Sequence, residues 1–403
     1  MRTCSPVAFL ACLLALAGCT GGGESGEPPR AGSAVAAPSP AALPARVVEP
    51  RSPVAPPSAG EVMSIPRGVV RAGSVPGTQS RDPTVEVDLL PIDVAAFRID
   101  RLPYPNDPAL PPRTDVTREQ AQALCAADGK RLCHELEWER ACEGDSDATF
   151  PGGETFDLEA CGLDPGACAS PFGVLSMGAT LREWTASDAT LALGDALRTA
   201  VVRGAAASAD AAMHRCAARA AAAPGLQSAT LGFRCCAADA PAGLVYPIER
   251  DRPMFAEQKL ELAELRRVLG SMPELARFAR TFMPFDEEEV DRALARGATT
   301  RTGIAGWTIA KEVLVWSPRY GDEVWVVAGA AEGSAIVAAF YPLPDGTFRH
   351  ASSFVLADEP LPVAIAYSPG SQRELLWSAC WGCGGEGGAI TYRDDTRVVV
   401  VQR

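Results

Sequence analysis

The stretch GKRLCHELEWERAC, residues 129–142, places a tight turn, a short helix carrying Trp138, and two cysteines, Cys133 and Cys142, next to one another. Working outward, an earlier helix opens at Thr117: Thr117 and Gln120 have the S/T-x-x-E/Q spacing of a capping box, with Val116 and Ala121 at the two staple positions. Leu124 and Cys125 fall on its buried face, and Gly129 supplies the left-handed residue that ends it. The second helix carries Leu136, Trp138, Ala141 and Cys142, with Glu135, Glu137 and Glu139 between them. Close-spaced glutamates invite an acid/base or metal reading, yet a charge run on a short helix is more simply a solvated face, and that is the expectation here. The Pro-rich run ending at Pro112 precludes regular structure before Thr117.

Four further segments complete the pattern: FRIDRLPYPND (97–107), FGVLSMGATLREWT (172–185), RCAAR (215–219) and LGFRCC (231–236). Over about residues 85–240, the ordered set resembles the sulfatase-modifying-factor family, the formylglycine-generating enzymes and their relatives. Those proteins carry F-x-I-D-x-x-x-V-T-N, then GKRLPTEAEWEYA, D-M-x-G-N-V-W-E-W-T, R-G-G-S and a closing G-F-R. Asn106 stands at the Asn of the first motif, and Arg203-Gly204-Ala205-Ala206 stands where R-G-G-S is expected. The resemblance implies an α+β domain of irregular, C-type-lectin-like build.

It also implies two structural disulfides, Cys125 with Cys235 and Cys142 with Cys216. Closing loops of about 110 and 75 residues restricts the unfolded chain by roughly 4 to 5 kcal/mol each on the chain-entropy account, an upper bound. Of the other cysteines, Cys133 and Cys236 adjoin the first pair in sequence and could bridge, although Cys235 and Cys236 could exchange partners. Cys161 and Cys168 would then close a small loop.

The resemblance further implies where chemistry would reside. The family's oxidases hold copper(I) with two cysteines, ten and five residues before the Cys of RCAAR, and soft thiolates are what copper(I) requires. Those places hold Ala206 and Ala211, and the whole segment 204–215, GAAASADAAMHR, contains no cysteine. No catalytic residue is therefore assigned. In the turn that binds calcium in the family, Glu183 survives as a candidate ligand, but Thr180 replaces the Asn, and a hydroxyl is a poorer ligand for a hard cation than an amide carbonyl. A second branch of the family uses non-haem iron, whose sites take two imidazoles and a carboxylate. The chain has three histidines, His134, His214 and His350, dispersed along it, and each is read as an ordinary surface or core residue.

The start of the chain reads as a secretory leader, residues 1–18, whose Leu16-Ala17-Gly18-Cys19 ending is a bacterial lipobox. The apolar run is short for a membrane span, and Cys19 becomes the lipid-carrying residue. Thr20 and Gly21 after it favour the outer membrane of the cell envelope. Residues 19–81, rich in Gly, Pro, Ala and Ser, read as a disordered tether of typical reach about 45 Å. The sulfatase-modifying-factor-like domain follows at 82–240 and a second domain at 241–403. Net charge is -13, and no basic patch interleaves with aromatics, which excludes a nucleic-acid partner. Setting aside Cys4, Cys12 and Cys19 leaves an even number of cysteines, the mark of disulfides in an exported chain.

In the second domain, residues 254–297 read as helices: one stripe of Leu260, Leu262, Leu265, Val268 and Leu269, another of Leu275, Phe278 and Phe282, and a third helix capped by Asp286 and Glu289 and stopped at Gly297. Residues 312–402 then carry eight short apolar runs separated by turn chemistry, which predicts an antiparallel sheet or small barrel. Cys380 and Cys383 form a CxxC followed by Gly384 and Gly385. A local disulfide is preferred there over a redox dithiol, which needs a following helix, and over zinc, which needs two further ligands.

Two functions compete. The first is a non-catalytic envelope lipoprotein whose disulfide-braced domain displays loops such as 205–213 to a protein, peptide or glycan, with no cofactor apart from calcium at Glu183. The second is an oxidoreductase of the family, either formylglycine-generating or iron-dependent. The leader generates a prediction of its own: Cys19→Ser releases the protein from membranes, since the tether offers no other apolar anchor. Fractionation that leaves the mutant in the membrane pellet overturns it.

Overall fold

The computed structural model describes residues 54–189, 199–237, 241–246, 253–301, 303–317, 322–356, 361–371, 373–381, 383, 386–393 and 397–403. The leader, Cys19 and the tether up to residue 53 lie outside the described residues.

The tether expected over 19–81 is corrected at its C-terminal end. Val62–Ile65 (β1), Gly68–Ala72 (β2), Leu90–Val94 (β3) and Phe97–Asp100 (β4) are strands, β1 pairing antiparallel with β4 and β2 with β3. The physical reason is local. Ile65, Val70 and Ala72 are buried in one cluster with Val94, Phe97 and Trp138, a contribution that composition averaged over sixty residues conceals.

The elements that follow are Arg118–Ala127 (α1), Arg131–Leu132 (β5), Glu135–Glu143 (α2), Leu158–Leu163 (α3), Arg182–Ala189 (β6), Thr199–Arg203 (β7), Arg219–Ala222 (β8), Leu231–Phe233 (β9) and Cys235–Ala237 (β10). They build two four-stranded sheets, ordered β1-β4-β10-β5 and β8-β7-β6-β9, with β6 and β9 parallel and the other pairs antiparallel. The capping box of Thr117 and Gln120 opens α1, Val116 and Ala121 pack in one cluster, and Gly129 follows the helix at a φ of 70°. Cysteine pairs at disulfide distance tie these short elements together: Cys125–Cys235, Cys133–Cys236, Cys142–Cys216 and Cys161–Cys168, with Cα–Cα separations of 5.6, 4.9, 5.5 and 5.2 Å. A fifth pair, Cys380–Cys383, lies at 5.4 Å.

The C-terminal half comprises Phe255–Gln258 (β11), Leu262–Gly270 (α4), Ala276–Ala279 (α5), Met283–Pro284 (β12), Glu287–Arg296 (α6), Thr308–Ile309 (β13), Val313–Trp316 (β14), Val324–Ala331 (β15), Ser334–Pro342 (β16), Phe348–Leu356 (β17), Ala364–Tyr367 (β18), Glu374–Ser378 (β19), Gly387–Arg393 (β20) and Arg397–Gln402 (β21). The expectation of helices from residue 254 is corrected at β11, whose four residues pair with β14 and so find backbone partners in the sheet rather than in a helix. The eight apolar runs are strands, arranged as β11-β14-β15-β16-β17, with β12 also on β15, and β13-β18-β19-β20-β21, all antiparallel.

Side-chain alternation explains why runs such as AIVAAFY are apolar throughout. Along β16, Ala335, Val337, Ala339 and Tyr341 face the core shared with the second sheet, while Ile336, Ala338 and Phe340 face α4 and α5. A strand buried on both sides has no place for a polar residue. The result is three layers: helices, a first sheet and a second sheet.

The two halves meet at the segment between β2 and β3. Arg81 is 1% exposed and donates to Asp322 (3.0 Å) and to the carbonyls of Ser74 (2.6 Å), Val87 (2.8 Å) and Glu86 (3.2 Å), and it pairs with Asp88. Asp322 also accepts from the Gly77 amide (3.1 Å), and Arg349 donates to the Pro76 carbonyl (2.9 Å). Removing one partner from a buried ion pair leaves an uncompensated charge. We therefore expect Asp322→Ala to cost about 3 kcal/mol in urea unfolding, whereas breaking the exposed Arg67–Asp93 pair leaves the midpoint unchanged. Equal midpoints for wild type and Asp322→Ala overturn this reading of the junction.

Candidate functional site

The glutamates of α2, expected to be a solvated face, are buried, and this is the main correction the structure makes. Glu135, Glu137 and Glu139 are 1%, 2% and 0% exposed. Each is buried because an arginine meets it, from a distant part of the chain for Glu135 and Glu139 and from just before the helix for Glu137. Arg219 pairs with Glu135 through both carboxylate oxygens, and Arg203 adds a bond to Glu135 (3.0 Å) and another to Glu139 (2.8 Å). Glu137 receives Arg131 through two bonds of 2.8 and 2.7 Å, and it closes a capping box with His134 at the helix start.

The remaining donors around these carboxylates come from backbone and ring. The Gly73 amide donates to Glu139 (2.8 Å). Gly73 has a φ of +87°, and a Cβ there would lie 1.9 Å from the Val87 carbonyl oxygen, so only glycine brings its amide to that point. Arg203 also donates to the Ala217 carbonyl (3.2 Å), and Arg219 to that of Val85 (3.0 Å). Tyr246 lies against both guanidinium groups, its ring centroid 4.4 Å from Arg219 and 5.3 Å from Arg203. Burial raises the Glu135 pKa, but Arg203 and Arg219 outweigh it and hold the carboxyl below its ordinary value. For Glu139, burial prevails over Arg203 and pushes the carboxyl up to about 7.

A second pair sits one motif away. Glu183, the candidate calcium ligand, is 0% exposed. Its oxygens accept from Arg234 at 2.6 and 2.7 Å and from the Trp138 indole at 2.8 Å. A carboxylate engaged in this way does not fit a calcium site. A third pair joins Arg215 to Glu86 at 2.9 and 3.0 Å, with Ser74 donating to the same carboxylate at 2.7 Å.

The segment where the resemblance leads one to expect copper thiolates runs from Gly204 to a short 3-10 turn, Ala211–His214. Ala211 is exposed and Ala206 half-buried. Gly204 holds a φ of +76° and passes so close to Gly178 that a Cβ would lie 2.8 Å from its Cα. His214 is fully buried, stacked on Phe156 with ring centroids 4.2 Å apart, its Nδ1 2.6 Å from the Gly178 carbonyl and its Nε2 3.3 Å from that of Ala209. The side chains here are methyls, Ser208, Asp210 and Met213, which is 41% exposed. That donor set does not fit copper(I), which needs soft thiolates.

The structure does not converge the three histidines. His134 accepts from the Leu136 amide (3.2 Å) as a helix cap, and His350 lies 3.1 Å from Ser353 on β17. Among the described residues, no group of three or more His, Cys, Asp or Glu side chains is arranged to hold a metal ion.

The sequence reading missed the arginine–glutamate pairing. The available signal was the spacing of Glu135, Glu139 and Glu143, which share one helix face, together with one or two arginines in each downstream motif. Because Glu135 holds two buried arginines, Glu135→Ala is expected to cost about 3 to 5 kcal/mol in denaturant unfolding. A solvated glutamate would cost within about 0.5 kcal/mol, so a change that small contradicts the assignment.

Residues 96–239 match the sequence profile of the family described as sulfatase-modifying factor enzyme 1-like domain. No curated protein matches the chain. Solved structures that align include PvdO from Pseudomonas aeruginosa, at 17% identity over 46% of this chain and 99% of that one, with a TM-score of 0.36. CarF aligns at 13% identity over 44% and 97%, with a TM-score of 0.33, and Treponema denticola variable protein 1 at 16% over 44% and 96%, also with 0.33. The matched residues 96–239 include Glu135, Glu139 and Glu183 and the arginines that meet them, so this part of the chain is similar to a sulfatase-modifying-factor domain.

Proposed function

We propose that this domain is a non-catalytic, disulfide-braced binding or structural module of C-type-lectin-like build, carried by a lipoprotein anchored through Cys19 in the cell envelope, at the outer membrane. The observation that carries the reading is the segment 204–215, which has no cysteine where the family's chemistry needs two. No other thiol is at hand to substitute, because the cysteines from Cys125 to Cys383 lie in pairs at disulfide distance. The acidic side chains with the deepest burial are likewise engaged, since Glu135, Glu139 and Glu183 neutralise arginines that the fold has brought inside. What the domain offers a partner is the loop 205–213, small side chains with an exposed Met213, facing a protein, a peptide or a glycan. Calcium has no part in this proposal.

The test is mass spectrometry of a CxPxR peptide after incubation with the purified protein, copper and oxygen. No conversion of cysteine to the aldehyde is expected from the wild-type chain, and restoring conversion is expected to need at least Ala206→Cys and Ala211→Cys together. Turnover by the wild-type protein removes the non-catalytic reading in favour of an oxidoreductase.

A further inference from the structure

Among the described residues, one buried glutamate has no ion-pair partner. Glu143 stands at the end of α2, 5% exposed, and its Oε2 is enclosed without any hydrogen-bond partner. Two guanidinium nitrogens close to it in the fold, Nε of Arg140 and Nε of Arg203, are enclosed and unpartnered as well. Arg140 directs its other nitrogens away, to the Gly144 carbonyl (2.7 Å) and to Asp145. Arg203 directs its own to Glu135, Glu139 and the carbonyls of Cys216 and Ala217.

Arg140 and Arg203 favour a negative charge on Glu143, but burial and the neighbouring carboxylates outweigh them. On its own helix Glu143 follows Glu139 by one turn, and like charges at that spacing repel. Asp145 and Asp147 lie in the turn just after the helix. From the sheet side, β7 contributes Arg203, already shared by two carboxylates, and β8 contributes Arg219, held by Glu135. On β6, Glu183 is held by Arg234. The β2–β3 ribbon turns Val70, Ala72 and Val94 inward, with no titratable side chain among them, and Tyr246 caps the arginines from outside the sheet. Arginines and carboxylates balance at every other position in this cluster. Glu143 is the one left over.

We propose that Glu143 is a buried proton-binding site that acts as a pH-sensitive latch: protonated, it lets the end of α2 pack against β7 and the 204–216 segment, and ionised, it loosens that contact. The covalent route from helix to segment is one residue away, through Cys142–Cys216. Arg203 provides a second route, because it opens the segment at Gly204 and donates to Cys216 at its end. Burial, and then the negative charges of Glu139 and Asp147, raise the Glu143 carboxyl well above the ordinary carboxylate value.

The direction of the effect follows from that shift. An acid whose folded pKa is raised contributes stability that is complete below its unfolded value of about 4.3 and is lost as pH climbs through the folded value. The affected window therefore opens above the ordinary carboxylate value and closes at the raised folded value of Glu143. His134 and His350, both lowered by burial, work in the opposite sense as they titrate. The comparison between variants removes their contribution.

The experiment follows thermal unfolding of the full-length protein and of Glu143→Gln from about pH 5.5 to 8.5, together with deuterium exchange at the amides of 204–216. The wild-type midpoint is expected to fall by at least about 2 °C more than that of the variant, and exchange in the segment to rise with pH in wild type only. Parallel pH profiles for the two proteins overturn the proposal. Should Glu143→Gln fail to fold, infrared spectroscopy of wild type decides: a protonated carboxyl band at neutral pH, retained in Glu139→Gln, supports it, and fully ionised carboxylates overturn it.

Discussion

Arg203 is fully buried, and most of the first domain is arranged around the need to neutralise it. A guanidinium cannot be taken out of water alone, because desolvation costs several kcal/mol unless carboxylates and carbonyls replace the lost solvent. Arg203 finds Glu135 and Glu139 on one helix and the backbone of Cys216 and Ala217 beside it. Satisfying those glutamates requires Arg219 and the Gly73 amide, and Arg219 in turn reaches Val85. Through such steps, residues from the start of the domain, its second helix and its last strands become dependent on one another.

This dependence explains which motif residues this sequence keeps. Arg203, Arg215, Arg219 and Arg234, with Glu135, Glu183 and Trp138, stand in the motif segments and all take part in buried contacts. Ala206 and Ala211 lie at or near the surface and take no part in these buried contacts. A fold with short strands and long irregular connections has little regular hydrogen bonding to hold it, and here disulfides and buried ion pairs do that work. The C-terminal half is built on the opposite principle. Its longer strands are apolar on both faces where they lie between layers, and among the described residues its one buried charge is Asp322, which receives Arg81 from the N-terminal part of the fold.

That contrast also decides how far the sequence could be read. Strands β14 to β21, the capping boxes at Thr117 and Asp286 and the stop at Gly297 depend on local periodicity and turn chemistry, and each was visible in the residues. The burial of Glu135 and Glu139 was not, because their partners lie at least sixty residues away in the chain and a glutamate run looks the same whether it faces water or arginine. The strands β1 and β2 were hidden for a different reason: a few apolar residues in a Gly- and Pro-rich stretch find their value only beside β3 and β4. The site resisted reading in the same way, since Glu143 is distinguished only by what does not face it.

The central claim is that the glutamates of α2 and the downstream arginines are energetically one unit. A double-mutant cycle on Glu135 and Arg219, measured by urea unfolding of wild type, Glu135→Gln, Arg219→Met and the double mutant, tests it most directly. The account predicts a coupling of at least about 2 kcal/mol, with the double mutant far less destabilised than the sum of the single changes. Additive effects within about 0.5 kcal/mol would contradict it.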